Sequence, residues 1–69
     1  MIKVGTTFKV IKPFNMFDVG DKGYVAEIEP ENERKEAWCK VYVNHHNCNM
    51  MAYILLLNGE FKHDDVKEI

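Results

Sequence analysis

Two glycines bracket a charged pair in the segment Val19-Gly20-Asp21-Lys22-Gly23-Tyr24-Val25-Ala26-Glu27-Ile28. This composition predicts a tight turn that leads directly into a strand, because glycine tolerates the left-handed backbone of such turns and the residues after it favour extended structure. We expect a positive φ at Gly23, where the sheet of a small barrel would bend. The spacing of Val25 and Ile28 breaks strict alternation, which predicts a β-bulge near Ala26.

Strands are predicted on both sides of this corner. The segment from Lys3 to Lys12 contains a first strand that Pro13 ends, with Phe8 and Val10 directed into the core. The remaining predicted strands are Lys22 to Glu29, Ala37 to Asn44, Met50 to Leu57, Glu60 to Lys62 and Val66 to Ile69. A single turn of helix is the alternative for the last of them.

Turn residues separate these strands. The polar cluster from Asn44 to Asn49 predicts one hairpin turn, and Asn58-Gly59 predicts another. Residues 31 to 36 are all charged or polar, which is typical of a solvated loop. Met50 to Leu57 is apolar at almost every position, so we expect that strand to be covered on both faces.

Length and charge limit the possible functions. A chain of 69 residues makes one domain, spanning 1–69, whose small core would gain from self-association. The net charge of −2 gives no overall attraction to nucleic acid or to anionic membranes. The chain starts without a signal-peptide pattern and has no membrane-spanning run, so we expect a cytoplasmic protein with reduced cysteines.

The pattern Val4-Gly5-x-x-Phe8-x-Val10, followed by Gly20-Asp21-x-Gly23-x-Val25-x-x-Ile28, resembles the opening of KOW-type and related SH3-like modules. The resemblance implies an all-β fold, a small SH3-like barrel of about five antiparallel strands. Small barrels of this kind are also common among accessory proteins of bacteriophages, so the resemblance also suggests an accessory protein of that type. The chain lacks the acidic first-loop motif and the paired tryptophans of signalling SH3 domains, so binding of polyproline peptides is not implied.

A cysteine and histidine cluster raises the possibility of a metal site. Cys39, His45, His46 and Cys48 are residue types that bind zinc, and His63 could add a further ligand. Cys39 alternates into the core, however, which leaves too few ligands for a closed structural site. We therefore expect no metal and no cofactor. The sequence also shows no phosphate-binding loop, paired carboxylates or nucleophile elbow, and we expect no enzymatic activity.

Apolar side chains exceed what a small barrel can enclose. If Cys39 and its alternating neighbours point inward, Trp38 and Tyr42 point outward. Two alternatives follow. The first loop, with Phe14, Met16 and Phe17, folds over that outer surface and buries it, or the surface binds a partner or a second copy.

Two functional hypotheses follow. The first is a non-enzymatic protein-interaction module, such as a small accessory protein of the bacteriophage type that binds and modulates a larger host protein. Its predicted binding residues are Phe14, Phe17, Trp38, Lys40, Tyr42 and Ile54. The second is a nucleic-acid-binding barrel, in which aromatic rings stack on bases while Lys3, Lys9, Lys12 and Lys40 contact phosphates. Steep weakening by salt would distinguish the second hypothesis from the first.

Overall fold

The computed structural model describes all 69 residues, and it confirms an all-β fold. The strands are β1 (Thr7–Val10), β2 (Lys22–Ile28), β3 (Glu36–His45), β4 (Cys48–Leu57), β5 (Glu60–Phe61) and β6 (Val66–Glu68). These six antiparallel strands form one nearly closed barrel in the order β5-β4-β3-β2-β1-β6, an architecture compatible with an SH3-like barrel. There is one strand more than the resemblance implies, because β5 and β6 are separate short strands.

The corner before β2 differs from the prediction. The residue with positive φ is Gly20 (φ 98°), in the turn that Asp21 N–H closes on Asp18 O, whereas Gly23 has ordinary strand geometry within β2. The expected positive φ at Gly23 is therefore wrong. Glycine is required there for space, because a Cβ on Gly23 would overlap the carbonyl oxygen of Tyr42 and lie 2.7 Å from Phe8 Cζ.

The predicted bulge is confirmed. Val25 lies opposite Val41, but Glu27 lies opposite Lys40, so β2 contains one more residue than β3 at this point. The extra residue is Ala26. The bulge increases the local twist and helps to curve the sheet into a barrel.

The core consists of alternate residues from facing strands. Phe8 and Val10 are fully buried, as predicted, together with Val25, Cys39, Val41 and Val43. Ala52, Ile54 and Leu56 fill the barrel from β4, with Ile2, Phe17 and Val66 at its ends. The expectation that β4 is covered on both faces is wrong. Its other face carries Met51 and Tyr53, which are exposed because no element packs over them.

Both predicted hairpin turns are confirmed. His46 and Asn47 have φ of 50° and 63°, and Asn58 and Gly59 have φ of 53° and 81°. Two successive residues with positive φ give the type I′ geometry whose twist matches that of the flanking strands. The long β3–β4 hairpin pairs without interruption from Glu36↔Leu57 to His45↔Cys48.

The last strand closes the barrel against the first. β6 pairs with β1 through Phe8↔Glu68 and Val10↔Val66. The prediction of a strand in this segment is therefore confirmed, and the alternative of a turn of helix is wrong. Ile2 N–H donates to the carbonyl oxygen of Gly59 at 2.7 Å, which ties the start of the chain to the β4–β5 turn. No helix that could cross a membrane is present.

Candidate binding face

The outward side chains of β2, β3 and β4 form a continuous surface rich in aromatic groups. Because opposite residues in a sheet share a face, Tyr24 and Tyr42 lie side by side, and Tyr42 neighbours Met51. Trp38, nearer the start of β3, lies opposite Leu55. Its diagonal neighbour on β4 is Tyr53, which lies opposite Lys40. We call this surface the outer face; it consists of Tyr24, Trp38, Lys40, Tyr42, Met51, Tyr53 and Leu55.

Most of the outer face is open to solvent. Trp38 is 49% exposed and Tyr53 is 51% exposed, although both are large aromatic residues. Tyr42 is half-buried, because Tyr24 packs at a ring-centroid distance of 5.8 Å and the Lys40 ammonium lies 5.7 Å from the ring centroid. The expected outward direction of Trp38 and Tyr42 is thus confirmed.

The first loop does not bury the outer face. Phe17 inserts into the end of the core and packs edge-on against Phe14 and His45, and Met16 points to solvent. Of the three apolar side chains of the loop, only Phe14 lines the groove beside Trp38, next to Asn15. The alternative in which the loop covers this surface is therefore wrong, because Phe17 is buried in the core and Met16 points to solvent.

The predicted binding residues fall into two groups. Trp38, Lys40 and Tyr42 lie on the outer face, with Phe14 at its margin. Phe17 and Ile54 are only 3% and 8% exposed and belong to the core, so they present almost no surface to a ligand. Ile54 points inward because the even-numbered residues of β4 fill the barrel. The sequence of β4 does not predict which set points inward, because both sets are apolar.

Trp38 lies between two concave regions. On one side is a groove of about 160 Å³ whose lining includes Phe14, Trp38, Tyr53, Leu55, His63 and Asp65. On the other side Glu29 shares a shallow depression with Trp38 and Tyr53. Glu29 is fixed there because its N–H donates to the carbonyl oxygen of Trp38 at 2.9 Å. We call the two regions together the Trp38 site.

The surroundings of the Trp38 site are acidic. Glu29 and Asp65, which line the site, have no cation within ion-pair distance. The adjoining β2–β3 loop is mixed in charge, because Glu31 and Glu33 are followed by the equally unpaired cations Arg34 and Lys35. Glu36 is neutralised by Lys62 at 3.0 Å, and the hydrogen bond from that ammonium lowers the pKa of the Glu36 carboxyl. A cation at the Trp38 site would therefore meet unpaired carboxylates, and a phosphate would be repelled.

The other end of the barrel surface is basic. Lys9 lies directly opposite both Lys22 and Lys67, and none of the three has a carboxylate within ion-pair distance. We call these residues the lysine row; it borders Tyr24. Of the lysines predicted to contact phosphates, Lys9 belongs to the row, whereas Lys12 pairs with Asp64 and Lys40 with Glu27. Lys22 and Lys67 were missed because only the strand register brings them beside Lys9.

The cysteines do not join the histidines in a zinc site. Cys39 is fully buried in the barrel, where burial raises the pKa of its thiol, and Cys48 is exposed. A different residue approaches the histidines instead. Asp18 Oδ2 lies 3.9 Å from His45 Nδ1 and 3.5 Å from His46 Nε2.

Asp21 supports this cluster. Its carboxylate accepts a hydrogen bond from the Asp18 N–H at 2.9 Å and lies 2.7 Å from His45 Nδ1. The hydrogen bond from the Asp18 N–H is the main reason why the pKa of the Asp21 carboxyl is lowered, and the contact with His45 is the second reason. Asp18 was missed as a neighbour of the histidines, although the pairing of Lys22 with Asn44 brings the β1–β2 loop to the β3–β4 turn.

Comparison of the chain with protein-family models, with curated proteins and with solved structures gives no match.

Proposed function

We propose that this barrel is a non-enzymatic protein-interaction module that docks a cationic segment of a larger protein on the Trp38 site. The observation that carries the proposal is the pair of half-exposed rings, Trp38 and Tyr53, beside the unpaired carboxylate of Glu29. Such a module needs no catalytic group and no cofactor.

The chemistry of the Trp38 site suits a lysine or arginine side chain. A cation against an aromatic face gains about 0.5 to 2 kcal/mol, with the larger values where water is excluded. Glu29 would add an ion pair, and the apolar floor of Trp38 and Leu55 would accept the methylene stem of the same side chain. Tryptophan is also the residue most often found at the energetic centre of protein interfaces.

Charge complementarity favours a basic protein segment as the ligand of this site over a nucleic acid or a second copy of the chain. Glu29 borders Trp38 on one depression, and Asp65 lines the groove that Trp38 also lines, whereas the loop charges of Glu31 and Glu33 are offset by Arg34 and Lys35. A nucleic acid would bring phosphates toward these carboxylates. A second copy of the chain, which has net charge −2, would bring like charge unless it presented its lysine row.

The test uses a fluorescein-labelled peptide of alternating lysine and alanine, with a glutamate–alanine peptide as the control ligand. Trp38 is the only tryptophan, so its emission reports directly on the site. We expect the basic peptide to change that emission and the acidic peptide to leave it unchanged. Fluorescence anisotropy should show binding weakened about tenfold or more by Trp38→Ala and about threefold by Glu29→Gln.

Met51→Ala is the matched control, because Met51 is exposed on the same face but lies outside the Trp38 site. Equal loss of binding in this variant, or no response of Trp38 to the basic peptide, would contradict the proposal. Concentration-dependent dimerisation abolished by Trp38→Ala would instead identify a second copy as the occupant.

The lysine row favours a second candidate, binding of single-stranded nucleic acid at the opposite end of the face. Three cations held directly opposite one another repel unless an anion neutralises them, and Tyr24 and Tyr42 beside them could stack on bases. Binding of an oligothymidylate should then weaken with salt with a logarithmic slope of about −2, as expected for three phosphates. Lys22→Ala should weaken it, whereas Glu29→Gln should not.

A further inference from the structure

We infer that Asp18, His45 and His46 form a binding site for a divalent transition-metal ion such as Zn²⁺. These side chains come from two separate turns, the β1–β2 loop and the β3–β4 hairpin. One ligand atom from each lies within 4.8 Å of the others. The inference is independent of the Trp38 site.

The two distances from Asp18 match those of ligands that share one ion. Two atoms bound to zinc at about 2.0 to 2.2 Å lie roughly 3 to 4 Å apart when the geometry is near tetrahedral. Asp18 Oδ2 is 3.5 Å from His46 Nε2 and 3.9 Å from His45 Nδ1. An ion could therefore contact all three atoms with small side-chain rotations.

The donor set also has the right chemistry. Two imidazoles and a carboxylate suit zinc, nickel or copper, and are a poor set for calcium or magnesium, which prefer oxygen ligands throughout. The two imidazole rings are held with their centroids 4.1 Å apart, which places both beside the same small space next to Asp18. Water would complete the coordination, because Asp18 and His46 are exposed.

The neighbouring carboxylate of Asp21 would contribute to the same site. Asp21 Oδ2 now lies 2.7 Å from His45 Nδ1, the atom that faces Asp18. The Asp21 carboxylate can only accept, so Nδ1 carries the hydrogen of this bond. An ion that binds Nδ1 requires the imidazole to carry its proton on Nε2 instead; the hydrogen bond is then lost, and the Asp21 oxygen is close enough to bind the ion or a water on it. The bound ion would link the two turns and stabilise the folded chain against unfolding.

The experiment is calorimetric titration of Zn²⁺ into protein first stripped with a chelator, together with a thermal melt with and without the ion. We expect one ion per chain and a higher melting temperature. Affinity should fall at least about tenfold in His46→Gln and in Asp18→Asn, and the thermal shift should shrink in both. Both side chains are exposed, so the variants should remain folded.

His63→Gln is the matched control, because it removes the third histidine, which lies outside the cluster, and should leave affinity unchanged. Cys48→Ser tests for binding by the exposed thiol. The inference is overturned if wild-type protein binds no Zn²⁺, if His46→Gln binds as well as wild type, if Cys48→Ser abolishes binding, or if half an ion binds per chain, which would indicate a site between two molecules.

Discussion

At the scale of single residues, the space around a residue and its local hydrogen bonds determine its structural role more than its backbone preference does. Gly23 is the clearest example, because its role comes from the ring of Phe8 and the carbonyl group of Tyr42 rather than from its own φ. Sequence patterns identify such a glycine as important, but they do not distinguish the two reasons. The distinction changes which substitution is harmful.

We predict that Gly23→Val destabilises the fold by about 1 to 3 kcal/mol, through overlap with Phe8 and with the backbone of β3. Gly20→Ala is the control, because a Cβ there meets open space and costs only the strain of a left-handed backbone, about 1 kcal/mol. Urea unfolding midpoints measure both. A larger loss in the Gly20 variant would contradict the packing explanation.

Asp21 should make stability depend on acidity. The hydrogen bond from Asp18 N–H, followed by the contact with His45, lowers its pKa in the folded state below the usual 3.8. A group with a lowered folded pKa stabilises fully above its unfolded pKa, and this contribution is lost as pH falls through the folded value. Wild type should therefore exceed Asp21→Asn in stability near neutral pH, and the difference should shrink below pH 3.8.

Thermal melts of the two proteins over a pH series measure that difference. Glu36 and Asp64 also have lowered pKa values and are present in both proteins, so the comparison isolates Asp21. A gap between the two melting temperatures that does not change with pH would show that the Asp21 charge is not involved.

At the scale of strands and turns, the alternation of residue types and the turn signals predict most of the fold. Alternation in β3 identifies its inner residues, and Asn58-Gly59 identifies a hairpin. Alternation does not distinguish the two faces of β4, because both are apolar, and so the sequence does not show that Ile54 points into the core. The sequence also does not predict the pairing register of the strands. That register places Lys22 and Lys67 opposite Lys9 and brings Asp18 close to His45 and His46.

A substitution in the β3–β4 turn should increase the stability of the fold. Asn47 has φ of 63°, which glycine adopts without the steric cost that other residues incur. We predict that Asn47→Gly raises stability by a few tenths of a kcal/mol to about 1, whereas Asn47→Val lowers it by about 1 to 2 kcal/mol. Chemical denaturation of the pair measures the order, and a more stable valine variant would exclude the type I′ turn.

At the scale of the whole molecule, the barrel separates its surface into regions of different chemistry. The Trp38 site is aromatic and acidic, the lysine row is basic, and the Asp18 and histidine cluster lies at the end of the β3–β4 hairpin. The net charge of −2 conceals this division. A small core leaves little room for internal function, so the outside of the sheet carries the groups available for binding.

We predict that Trp38→Ala leaves the barrel folded and costs about 1 kcal/mol or less, because half of the side chain is already in water. Phe8→Ala, the control in the core, should cost about 3 to 5 kcal/mol. Thermal melts followed by circular dichroism compare the two variants. An unfolded Trp38→Ala protein would show that Trp38 supports the core, and the binding role proposed for it would lose its basis.

The pairing of β1 with β6 also affects how the chain can fold as it is made. Residues near the start of the chain, such as Phe8 and Val10, acquire one of their two neighbouring strands only when Val66 and Glu68 are available. A nascent chain that lacks β6 leaves one edge of β1 unpaired, and unpaired edges are sites of association with other chains. The barrel therefore closes only after Val66–Glu68 has been synthesised and has left the ribosome, and until then the open edge of β1 is exposed to association with other chains.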